Sequence, residues 1–239
     1  MFLLNKKRII FISLSIVFSI LYSSIFDFLK KDSIYASSTP ISNHTIILDA
    51  GHGIPDGGAT NSNGEIVEAT LNLQLALKLQ NLLESSNCNV ILTRSDKNGI
   101  FEANSNSIKE KKISDMKNRA KIANNSNAEV FVSIHMNKLN ETKYSGWQTF
   151  YKNKDDKSKK LAQCIQSSLN SFIEKENTRQ IKSISNIYLS KHVKMPFVVV
   201  ECGFLSNPDE AILLSKEEYQ DNLAWSIYIG IMDYFNDWL

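Results

Sequence analysis

Three short apolar runs, far apart in the chain, each lead into a residue that can bind a metal or carry a proton. Thr45-Ile46-Ile47-Leu48-Asp49-Ala50-Gly51 leads into His52, Val130-Phe131-Val132-Ser133-Ile134 into His135, and Phe197-Val198-Val199-Val200 into Glu201. Runs of this length, rich in β-branched residues, read as strands buried on both faces of a parallel sheet. Open α/β sheets present their ligand sites beyond the carboxyl ends of their strands. The pattern therefore predicts that two histidines and a glutamate meet along one edge of one sheet.

The rest of the chain supplies helices to cover such a sheet. Strand 45–50 is followed by a loop, 51–63, rich in glycine and proline. Its backbone is built for close approach. A helix over 67–85 carries Leu71, Leu75, Leu79 and Leu82 on one stripe. Strand 89–94, a polar loop over 95–112, a helix near 114–125 capped by Ser114, and strand 129–136 come next. Strand 147–151, helix 156–174 and irregular residues 175–186 follow. Strands near 186–190 and 197–201 precede a last helix over about 216–237, with Leu223, Ile227, Ile231 and Tyr234 on one face. Strands alternating with helices predict a single α/β domain over 44–239, its sheet mainly parallel and flanked by helices on both faces.

The 239 residues suffice for one sizeable core, and the net charge of +2 is too small to suggest nucleic acid as a partner. The positive charge gathers at the N-terminus, where Lys6, Lys7, Arg8, Lys30 and Lys31 face only Asp27 and Asp32. Ile9 to Phe26 is uncharged and apolar. Residues 1–29 therefore read as a signal peptide or an uncleaved membrane anchor, and 30–43 as a linker. A cleavage site after Ala36 fits the small-residue pattern poorly. With basic residues retained inside, either reading exports the remainder of the chain. Cys88, Cys164 and Cys202 form no pairing pattern, so no disulfide is expected.

Of the four histidines, His44 sits at the linker edge and His192 in a lysine-rich segment, whereas His52 and His135 sit at strand ends. Alternation along strand 129–136 places His135 on the face shared by Phe131 and Ser133. A histidine closing a buried strand needs a partner for each ring nitrogen, and a metal on one nitrogen meets half of that need. Glu68 lies in the first turn of the helix after the glycine-rich loop. Position alone makes it a helix-dipole residue. That helix returns from the edge carrying His52, however, so its N-terminus points back at the same pocket. Glu65 is the competing carboxylate. A His, Glu, His set with one open position is a catalytic zinc arrangement, although the spacing 52, 68, 135 is no compact motif. Glu201, beside so much apolar surface, should hold a raised pKa and suit a general base. The alternative is a buried carboxylate satisfied by the turn at Gly203.

Four blocks make the reading specific. They are Leu48-Asp49-Ala50-Gly51-His52-Gly53 with Asp56-Gly57-Gly58-Ala59; Glu68 with Asn72-Leu73; Val132-Ser133-Ile134-His135-Met136-Asn137; and Val200-Glu201-Cys202-Gly203-Phe204-Leu205-Ser206-Asn207. In this order they resemble the zinc-dependent N-acetylmuramoyl-L-alanine amidases of the amidase-3 family over roughly 44–237. The resemblance implies one Zn2+ per chain on His52, Glu68 and His135, with Glu201 as catalytic base. It also implies a mixed, mostly parallel sheet and a peptidoglycan substrate. Within the family the chain is most similar to the germination-specific amidases of spore-forming bacteria, on the N-terminal apolar segment and the stretch Tyr188-Leu189-Ser190-Lys191-His192-Val193 with Pro196. That implies a role in cortex modification leading to muramic δ-lactam, and admits a lipoprotein activator. Lys191 stands where many members carry arginine, which leaves its role and that of His192 open. A zinc peptidase cutting the stem peptide and a non-catalytic wall-binding protein are the rival readings.

Overall fold

The computed structural model describes residues 43–236. The expected signal or anchor segment and all of the linker except Asn43 lie outside the described residues. Among the described residues no helix is long and apolar enough to cross a membrane.

The strands are β1 (Thr45–Ala50), β2 (Asn89–Leu92), β3 (Val130–Asn137), β4 (Gln148–Lys152), β5 (Lys182–Ile184) and β6 (Phe197–Phe204). They form one sheet in the order β2-β1-β3-β6-β4-β5. β2, β1, β3 and β6 run parallel; β4 is antiparallel to β6 and carries β5 beside it. The sheet is thus mixed and mostly parallel. The helices are α1 (Glu68–Ser85), α2 (Ile108–Asn124), α3 (Asp156–Phe172), α4 (Tyr188–His192), α5 (Pro208–Leu214) and α6 (Glu217–Asn236).

Strand alternation divides the core into two layers. Ile46, Leu48, Val130, Val132, Ile134, Val198 and Val200 face α1, α3 and α6, where Leu75, Leu79, Leu161, Ile165, Leu223 and Ile227 are fully buried. Ile47, Phe131, Phe197 and Val199 face the opposite way, towards Ala120 and Ala123 of α2 and Leu189 of α4. Each fully buried aliphatic side chain of this kind contributes about 1.5–3 kcal/mol. Gly230 lets α6 approach α3 closely, since a Cβ there would stand 2.5 Å from the Ile165 Cα. Gly230→Ala is therefore expected to destabilise the fold by about 1–3 kcal/mol in chemical denaturation, the range for overpacking.

Three expected elements differ from the observed ones, and one observed element was not expected. α2 begins at Ile108, six residues before the expected helix, so the last five residues of the supposed loop, 108–112, are helical. A capping box sets its start: the Ser107 side chain accepts from the Glu110 backbone N–H, and the Glu110 carboxylate accepts from the Ser107 N–H. Ser114 caps nothing; its Oγ accepts from the Glu102 N–H. Residues 186–190 are no strand. Tyr188–His192 turn as α4, and the edge strand is the preceding Lys182–Ile184. β6 does not stop at Glu201 but continues to Phe204, because its pairing with β3 shifts register there: His135 faces Glu201, whereas Asn137 faces Phe204. α5 was not expected at all; Asn207 caps it through the Glu210 N–H, with Pro208 in its first turn.

Candidate active site

β1, β3 and β6 lie side by side and bring their carboxyl halves together. His135 and Glu201 are register partners on adjacent strands. The bulge just beyond them re-aims the chain at this point, as bulges beside functional sites do. His52 lies two residues past β1 in a left-handed conformation, φ +62°, a strained choice for a residue with a Cβ. The surroundings impose it. Arg119 donates to the carbonyls of Ala50 and His52, Arg94 donates to those of Ala50 and Gly51, and Asn72 Nδ2 donates to that of Gly51. Consecutive carbonyls of the turn are thereby pinned by side chains from α2, the end of β2 and α1.

Glu68 reaches the same point from the first turn of α1. Its Oε1 lies 2.9 Å from His135 Nδ1 and 3.2 Å from His52 Nε2. Its Oε2 accepts from the Ala59 N–H at 2.7 Å, and Oε1 also accepts from the Met136 N–H at 3.2 Å. One ligand atom from each of His52, Glu68 and His135 lies within 4.8 Å of the other two. Asp56 Oδ2 accepts from His52 Nδ1 at 3.0 Å, which leaves Nε2 turned to the carboxylate. The two rings stand edge to face, 5.1 Å apart. Gly51 and Gly58 make room for this cluster: a Cβ at either would collide with the His135 ring or with Glu68 and the His52 ring. Two imidazoles and one carboxylate on a common centre are a donor set that suits zinc.

Electrostatics follow from that packing. Burial alone would raise the Glu68 pKa, but the hydrogen bonds and charges of His135 and His52 hold it well below the usual carboxylate range. Burial works against a charged His52 ring, yet Glu68 and then Asp56 outweigh it and raise its pKa to about 9. The cluster thus favours positive charge at the point where the three donors meet. Glu201 behaves oppositely. Burial, assisted by the Glu68 charge, pushes its pKa up to about 7 against the pull of His135 and His52. Part of its side chain reaches the surface, while Oε2 is enclosed and has no hydrogen-bond partner among the described residues.

The sequence-predicted residues His52, Glu68, His135 and Glu201 are all brought together at this edge. Glu65, the competing carboxylate, is exposed and bonds Asn63. His44 lies away from this edge, paired with Glu129 at 2.9 Å and stacked on Phe235. Lys191 and His192 are exposed, and His192 stacks on Tyr188. Asp56, Asn72, Arg94 and Arg119 are the supporting residues that received no role from sequence. Their partners are scattered along the chain; for Arg119 the visible sign was Asp49 within the first apolar run. That aspartate is 1% exposed and accepts from Ser133, Thr93 and Arg119.

A family model described as N-acetylmuramoyl-L-alanine amidase matches residues 46–233. The chain belongs to this amidase family. It is therefore a hydrolase acting on an N-acetylmuramoyl-L-alanine bond. A germination-specific N-acetylmuramoyl-L-alanine amidase of Bacillus subtilis is 38% identical to this amidase over 97% of each chain. Among solved structures, the CwlD amidase of Clostridioides difficile in complex with the GerS lipoprotein is 46% identical. It covers 82% of this chain and 100% of its own, with a TM-score of 0.80. An N-acetylmuramoyl-L-alanine amidase of Clostridium difficile 630 is 34% identical over 82% of this chain and 98% of its own, with a TM-score of 0.71.

Proposed function

We propose that this amidase is zinc-dependent, with the metal held by His52, Glu68 and His135 and the proton carried by Glu201. The observation that carries the reading is the meeting of three donor atoms within 4.8 Å of one another, with His135 the register partner of Glu201 on the adjacent strand. A zinc ion bound there supplies a Lewis acid for the scissile carbonyl and for the attacking water. Glu201 takes a proton from that water as its oxygen bonds to the lactyl carbonyl carbon. The carbon–nitrogen bond then breaks, and Glu201 returns the proton to the leaving amine. The products are a muramic acid with a free lactyl carboxylate and a peptide that begins with L-alanine.

Residues 44–239 act as the catalytic domain, exported by the segment 1–29 as signal or anchor, so that the enzyme works in the wall space. The likeness to a germination-specific amidase and to an amidase solved with a lipoprotein supports a role in the spore cortex. There, removal of the stem peptide precedes muramic δ-lactam formation, with a lipoprotein as activator. Muropeptide mass spectrometry of cortex digests, with and without that partner, tests this role. Lactam in a strain lacking the enzyme contradicts it.

Asp56 is expected to set metal affinity by holding the His52 ring. Asp56→Ala should weaken zinc binding by about 10–100-fold in competition with a chromogenic chelator, the usual effect of losing such a partner.

A further inference from the structure

We infer that the cavity between α2 and the His52 turn seats the acidic residue that follows L-alanine in the stem peptide, with Lys111 pairing its free carboxylate. The inference rests on the proposed function and names where the peptide half of that substrate lies. The cavity, of about 310 Å³, opens directly beside His52 and His135, near the lower limit for small-ligand sites. α2 supplies one wall. Ile108, Lys111, Lys112, Asp115 and Met116 recur at helical spacing and share one face. Pro55, Phe101, Ile187 and Leu189 complete the apolar lining.

Every carboxylate lining this cavity already has a cationic partner. Asp49 and Asp115 both bind Arg119, and Asp56 is held by Lys112 at 2.8 Å as well as by His52. No carboxylate pairs with Lys111 among the described residues; its ammonium stands over the Phe101 ring, 5.0 Å from the centroid. The one uncommitted charge of the lining is therefore positive, set among apolar surfaces. Ile108, at the first turn of α2, is 60% exposed, apolar surface with nothing folded over it.

An occupant suited to this lining presents one carboxylate on a short apolar stem and reaches the metal donors with its other end. The residue after L-alanine in peptidoglycan has that form. It is a glutamate joined onward through its side-chain carboxyl, so its backbone carboxylate stays free. Conversion of that group to an amide removes the charge Lys111 would meet.

The test compares N-acetylmuramoyl-L-alanyl-D-glutamate with its D-isoglutamine amide, both with the side-chain carboxyl capped as the methylamide so that only the backbone group differs, titrated calorimetrically into the full-length, zinc-loaded Glu201→Gln protein. The acid is expected to bind at least tenfold more tightly. Adding Lys111→Met should reduce the acid to the level of the amide, whereas Lys109→Met, on the same helix but away from the cavity, should preserve the preference. Equal binding of acid and amide, binding of neither, or a preference that survives Lys111→Met would overturn the inference. Failure of the underlying reading shows separately, as intact muropeptides after digestion with the wild-type enzyme whatever the binding preference.

Discussion

Glu201→Gln is expected to lower turnover of peptidoglycan about 1,000-fold while zinc stays at one per chain. General acid–base groups contribute about 10²–10⁴-fold, and here one carboxyl moves the proton in both halves of the reaction. Glutamine keeps the size of the side chain but cannot accept a proton at working pH. The variant should fold normally, because Glu201 Oε2 makes no hydrogen bond within the described residues that the amide would lose. Metal analysis and initial rates on the same preparation check both halves. Loss of zinc together with activity would place Glu201 among the ligands instead.

Arg119→Met should destabilise the fold by about 3–5 kcal/mol, the effect of stranding one member of a buried ion pair. For a domain of this size that is a fall in Tm on the order of 10 °C. Arg119 and Asp49 are 2% and 1% exposed, and the carboxylate would keep only Ser133 and Thr93. The same guanidinium holds the carbonyls of Ala50 and His52, so zinc affinity should fall as well. Arg119→Lys should not restore it, since one ammonium cannot replace a planar fork that meets Asp49, Asp115 and two carbonyls. Removing both charges, as Asp49→Asn with Arg119→Met, should recover part of the stability. The pairing holds the Asp49 carboxyl below its ordinary value despite burial. Its contribution is therefore full above the usual aspartate range and is lost as pH falls through the lowered value. Thermal denaturation of the four proteins across pH checks these points.

Whatever depends on local periodicity could be read from sequence, and whatever depends on distant pairing could not. Ile46 to Ala50, Val130 to Ile134 and Phe197 to Val200 alternate between two buried layers, so the strands and the edge carrying His52, His135 and Glu201 were visible. The start of α2 was hidden because Ser107 and Glu110 cap it within a polar stretch that lacks an apolar stripe. Residues 186–190 misled for the opposite reason: two apolar side chains, Tyr188 and Leu189, suit a strand and a helical turn equally. The extension of β6 past Glu201 depends on a bulge against β3, which no pattern within β6 announces. At the site, Glu68 was reached mainly through family resemblance, since a first-turn glutamate looks the same whether it serves a helix dipole or a metal. Arg94, Arg119 and Asn72 act on backbone carbonyls, which carry no sequence signal.

The zinc amidase reading is tested most directly by mass spectrometry of peptidoglycan digested with the full-length protein, before chelation, after chelation and after zinc is restored. The predicted result is peptides beginning with free L-alanine and glycan carrying free lactyl carboxylates, both disappearing on chelation and returning with zinc. Cleavage at any other bond, or unchanged products from the chelated protein, would contradict it.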